Sequence, residues 1–142
     1  MNKRMLMGVL LIIVAVAGWY VLGDRRAERV DRAAQPGAAL VEVTVPDLAG
    51  PEALGAVAFA AKCAECHGEN AAGKDGSGPP LVHKIYEPNH HADAGFFNAV
   101  RNGARAHHWP FGDMKPVEGL TDAEIATIIA YVRKLQAANG IF

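Results

Sequence analysis

The chain's two cysteines stand three positions apart and a histidine follows at once, in Cys63-Ala64-Glu65-Cys66-His67. No other feature narrows the fold so much, because C-x-x-C-H is the attachment pattern for c-type haem. Two thiols at that spacing can form thioethers with the two vinyl groups of a porphyrin. The adjacent imidazole is then held against the iron as an axial ligand. Three plainer readings compete. A redox-active dithiol belongs near a βαβ pattern, which this chain lacks. A structural zinc site needs four ligands, and with no further cysteine it would have to recruit histidines. A disulfide across two intervening residues would be strained and would leave His67 without a role.

The N-terminal region carries an apolar run, Met5 to Leu22, preceded by Lys3 and Arg4. As a helix its 18 residues would extend about 27 Å, close to the roughly 30 Å hydrocarbon core of a bilayer. The run is read as a retained single-pass anchor, with Trp19-Tyr20 suited to a membrane interface. A signal peptide cleaved after Ala15-Val16-Ala17 is the alternative. Arg25, Arg26, Arg29 and Arg32 follow the run, and the positive-inside rule alone would keep the rest of the chain in the cytoplasm. The cysteine chemistry points to the opposite side and is given more weight. The expected organisation is an anchor over residues 1–23, a charged linker over 24–46 and a compact domain over 47–142.

Within the compact domain three segments read as helices. Gly50-Pro51 opens the first, with proline at the first helical position and Leu54, Val57, Ala58 and Ala61 at helical spacing. The second covers Asp93–Arg101 and is closed by Asn102-Gly103. The third begins with a capping box of Thr121 and Glu124, and Ile125, Ile128, Ile129, Val132 and Leu135 form one apolar stripe. Asn139-Gly140 ends it. Asp24–Gln35 reads as a charged helical extension of the anchor, and Leu40–Val45 as a short extended strap. The long stretches Gly68–Leu81 and His83–His91 hold little that could form a core by themselves, so a large buried group is expected to organise them.

These features together resemble a class I cytochrome c over residues 51–138. Gly55 and Phe59 stand eight and four residues before Cys63, where that family crosses its first and last helices, and Ile128 and Tyr131 occupy the matching place on the last. The resemblance implies an all-α fold of three main helices and long loops around one covalently bound haem c, here preceded by one transmembrane helix. Gly78-Pro79-Pro80-Leu81 matches the family's G-P-x-L segment. There the Pro79 carbonyl would accept from the Nδ1 of His67, and Leu81 would pack on the haem. The family's sixth ligand is a methionine shortly before the last helix, which falls on Met114; Met1, Met5 and Met7 are all N-terminal. Lys115 replaces the proline that often follows that methionine. Trp109 and Arg105 are donors able to bond haem propionates, and plain packing is the alternative for Trp109.

The expected function is one-electron transfer in a respiratory-type chain, with iron held by His67 and Met114 and no chemistry on a substrate. Expected partners are transient redox proteins, either membrane complexes or periplasmic oxidoreductases, and the expected location is the periplasmic side of the inner membrane. From Asp47 onward there are 8 Lys+Arg against 11 Asp+Glu, so no strongly basic docking face is expected. No basic surface for nucleic acid is legible either. His83, His90, His91, His107 and His108 leave two rival readings open. One is a gas-sensing haem protein with a displaceable sixth ligand. The other is a copper-handling protein using the His-His pairs, since imidazole suits copper and zinc.

Overall fold

The computed structural model describes residues 10–23 and 36–142, and the chain divides between Gln35 and Pro36 into two units. In the first, residues 10–23 form a helix, α1, whose apolar side chains are exposed, Leu11 at 66% and Trp19 at 79%. Its 14 residues extend about 21 Å. Among the described residues no helix is long and apolar enough to cross a membrane. The spanning helix expected over Met5–Leu22 therefore finds no support there, since residues 5–9 of that run lie outside the described residues. The charged extension expected over Asp24–Gln35 lies outside them too.

The second unit holds α2 (Pro51–Lys62), α3 (Ala64–His67), α4 (Asp93–Asn102) and α5 (Asp122–Ala138), with two single 3-10 turns at Glu69–Ala71 and Lys84–Tyr86. Only two isolated antiparallel bridges, Lys74 with Gly78 and Ala104 with Met114, occur among the described residues. The helix ends follow local chemistry. Pro51 sits in the first turn of α2, where its missing N–H costs nothing. The Thr121 hydroxyl accepts from the Glu124 N–H, and the Glu124 carboxylate accepts from the Thr121 N–H at 2.7 Å, so the capping box forms. Gly103 ends α4 at φ 77°.

The core is built on α5, where Ile125, Ile128, Ile129, Tyr131, Val132 and Leu135 are all buried with Phe59, Val82, Val100 and Leu120. Its main partner is α2. The contact runs through Gly55, where an added Cβ would lie 1.9 Å from the Thr127 carbonyl oxygen, and through Phe59, whose ring centroid stands 5.5 Å from that of Tyr131. The apolar spacing that marks α2 as a helix does not mark its inner face. Leu54 and Val57 are 66% and 71% exposed, because close approach to α5 requires the residue with no side chain, and the helix rotates to present it.

The compact unit begins at Pro36, earlier than the boundary expected at residue 47. The reason is hydrogen bonding. The Leu40 and Val41 N–H groups both donate to the Ala72 carbonyl at 3.1 Å, and the Asp75 N–H donates to Ala38 at 2.8 Å. Further on, Thr44 exchanges two bonds with the Asn139 side chain at 2.9 Å. This extended segment straps the loop after α3 to the end of α5.

Candidate functional site

The spacing of the motif becomes geometry at the junction of α2 and α3. Cys63 ends α2, donating its N–H to the Phe59 carbonyl at 2.8 Å, and its own carbonyl accepts from Cys66 at 3.2 Å and His67 at 2.9 Å. One helical turn thus brings positions i, i+3 and i+4 to one face, and those positions are Cys63, Cys66 and His67. Both thiols are unpaired. Burial, with Cys66 beside it, pushes the Cys63 thiol up to about 11. A redox dithiol or a thiolate ligand needs the opposite shift, so Cys63 suits neither role.

His67 is fixed from the loop side. Its Nδ1 lies 2.9 Å from the Pro79 carbonyl oxygen, which can only accept, so Nδ1 carries the proton and Nε2 keeps its lone pair. Burial holds the imidazole below its ordinary value, and the hydrogen bond to Pro79 works against that. The loop approaches closely because residue 78 is glycine: a Cβ there would lie 2.6 Å from the Cys66 carbonyl oxygen. Pro80 is fully buried, and half-buried Leu81 packs against the core while donating its N–H to Ala71 at 2.8 Å.

Two residues hold that loop which sequence reading passed over. Gln136 is 1% exposed, and its Nε2 donates to the carbonyls of Leu81 at 2.8 Å and Tyr86 at 3.0 Å. Arg133 donates Nη1 to Tyr86 and to Gln136 Oε1, Nη2 to the His91 carbonyl, and Nε to Asp93 at 2.7 Å. A signal for Gln136 existed. It continues the stripe Ile125, Ile129, Val132 at the next helical step, and a polar residue there must find buried partners.

Met114 is half-buried against the core, on a loop closed by reciprocal backbone bonds with Ala104 at 3.0 and 2.8 Å. Arg105 is exposed, and its carbonyl accepts from His107 Nδ1 at 2.7 Å. Trp109 packs edge-on against His83 at 5.2 Å and stacks on Phe111 at 6.1 Å. Its indole N–H is buried and, among the described side chains, is the one buried polar atom that meets no acceptor at hydrogen-bonding geometry. Burial pushes the Tyr86 phenol above its ordinary value, and the neighbouring Trp109 indole only partly offsets this.

These residues suit haem. Two thiols and a nitrogen donor share one face, the imidazole is oriented by a carbonyl as iron-binding histidines are, and a buried donor is left over for an anionic group. Fold and site together describe a c-type cytochrome, an all-helical domain with a C-x-x-C-H attachment turn. The family model for cytochrome c matches residues 52–136, and the chain belongs to that family. Its cofactor is covalently attached haem c, and it is a haem-based electron carrier in a family of electron-transfer proteins. No curated protein and no solved structure matched the chain.

Proposed function

We propose that this protein is a class I, single-haem cytochrome c of a respiratory-type chain, with His67 and Met114 as axial ligands of the iron. The observation that carries the reading is the His67–Pro79 hydrogen bond. It leaves Nε2 as the ligating nitrogen, fixes the ring plane and raises the basicity of the imidazole. Haem c supplies a one-electron Fe(III)/Fe(II) couple. Cys63 and Cys66 would hold it covalently, and the buried Trp109 N–H would be a donor for a propionate. Met114 fills the sixth position, where a thioether favours ferrous iron and raises the potential relative to a second histidine.

The domain is held at the periplasmic face of the inner membrane by its N-terminal apolar segment. The helical residues 10–23, with their exposed apolar side chains, support an anchor. Covalent haem attachment outside the cytoplasm, as the family resemblance implies, supports the orientation against the arginine count. Transient redox partners dock at the exposed haem edge.

Absorption spectra of the ferric protein and of Met114→Ala test the ligation. A methionine–iron charge-transfer band present in the parent and lost in the variant is expected. Its absence from the parent, or ready carbon monoxide binding by the ferrous parent, overturns the reading. An alkaline phosphatase fusion after Pro36 is expected to be active, and an inactive fusion would reverse the orientation.

A further inference from the structure

Electron transfer leaves unexplained the histidines that gather on two loops outside the attachment turn. His90, His91 and His108 each offer a ring nitrogen, and these atoms lie within 4.8 Å of one another. His90 Nε2 and His108 Nε2 face each other at 3.4 Å. Tetrahedral zinc, with Zn–N bonds of about 2.0–2.1 Å, places its ligand nitrogens about 3.3 Å apart. The pair is therefore already at the separation that one shared ion demands.

The surroundings hold the rings for that task. His91 Nδ1 donates to the Ile85 carbonyl at 2.7 Å, which fixes the tautomer and leaves Nε2 with its lone pair, as partners behind metal-binding imidazoles do. The N–H groups of His90 and His91 both donate to the Glu87 carbonyl, at 3.0 and 2.8 Å, so one turn presents the two rings together. Arg133 clamps the His91 carbonyl from α5. On the other loop, the Asp113 carboxylate accepts from the Ala106 N–H at 2.8 Å, shaping the turn that carries His108. His107 lies beside the cluster, its ring 4.2 Å from that of His108, but the nitrogens that converge within 4.8 Å are those of His90, His91 and His108.

We propose that His90, His91 and His108 form a surface site for a divalent transition-metal ion of the imidazole-preferring class, zinc or copper, with a fourth position open to water. Three neutral imidazoles and one open position is a donor set that such ions accept. The ion would tie the loop before α4 to the loop that leads into Met114. The site does not depend on whether Met114 ligates the iron.

The test uses the full-length, haem-loaded protein, stripped with chelator and titrated with Zn²⁺ by calorimetry. In that protein both cysteines are already bonded to haem and cannot contribute. One equivalent is expected to bind, and His90→Ala and His108→Ala are each expected to weaken binding at least ~10–100-fold, the loss seen when even supporting partners of a metal site are removed. Both side chains are exposed, so the variants are expected to keep the parent's helical circular dichroism. X-ray absorption at the zinc edge is expected to show imidazole nitrogens at about 2.0–2.1 Å. No stoichiometric binding, or equal affinity in the parent and both variants, overturns the site. Loss of zinc binding accompanied by a changed ferric haem spectrum in His108→Ala also overturns it, by assigning that ring to the iron.

Discussion

Replacing Gly55 with alanine tests the packing that positions the haem-binding turn. The added Cβ would sit 1.9 Å from the Thr127 carbonyl oxygen, 2.5 Å from its carbonyl carbon and 2.9 Å from Tyr131 Cβ, where ordinary contact begins at 3.4 Å. The obstacle is backbone, which cannot rotate aside, so α2 and α5 must part by about 1.5 Å at this point. A gap of 0.5–1 Å already forfeits roughly a quarter to a half of each dispersion contact across it. Phe59 and Tyr131 sit beside the crossing and would share that loss. Overpacking in a rigid core costs about 1–3 kcal/mol, and a backbone clash belongs at the upper end. Helix propensity works the other way, since alanine gains about 1 kcal/mol over glycine. The net expectation is a destabilisation of about 2 kcal/mol, equivalent to a fall in Tm of roughly 10 °C. Thermal and guanidinium unfolding of the haem-loaded protein, followed by far-ultraviolet circular dichroism, measures it. Gly95→Ala is the control. No atom stands within 4 Å of the Cβ it would add in α4, and a gain of up to about 1 kcal/mol is expected there. If Gly55→Ala proves as stable as the parent, α2 and α5 do not cross this closely at Gly55.

Gln136→Leu would leave the Leu81 carbonyl without its side-chain donor and the Tyr86 carbonyl with Arg133 alone, at a cost of about 1–3 kcal/mol in denaturant unfolding; a change under about 0.5 kcal/mol would contradict the stapling role. Thr121→Ala should cost about 1 kcal/mol at neutral pH through loss of the cap on α5. The hydrogen bonds from the Thr121 backbone and then its hydroxyl hold the Glu124 carboxyl below its ordinary value. A depressed folded pKa means this contribution is full above the unfolded carboxylate range and fades as pH falls through the folded value. The backbone bond survives in Thr121→Ala, so only the hydroxyl's share should narrow the difference between parent and variant on going from pH 7 to about pH 3, and a constant difference would show that the hydroxyl–Glu124 bond adds nothing.

Much of the site could be read before any fold was known, because its logic is local. A C-x-x-C-H run in a helical turn puts its three reactive groups on one face whatever surrounds it, and Thr121 with Glu124 caps a helix by contacts three residues apart. Gly55, Phe59, Ile128 and Tyr131 were legible as a crossing only through resemblance to a family, and the helix–helix contact at Gly55 and between Phe59 and Tyr131 is where the structure places them. Periodicity alone favoured Leu54 and Val57 as the inner face of α2, since it records that a helix has apolar residues and not which way a glycine lets it turn.

What the sequence by itself determined is therefore the attachment turn, the helices and their ends, all set by spacings of a few residues and by backbone chemistry. The tertiary structure alone decided where the non-periodic chain goes. It laid residues 37–44 from the loop after α3 to the end of α5, buried Gln136 as a donor to the loop carrying Leu81 and Tyr86, and set His108 against His90 and His91. Contacts of that kind join residues tens of positions apart, and no period or propensity encodes them. They follow only once α5 has packed on α2 and the loops have found the hydrogen bonds that remain.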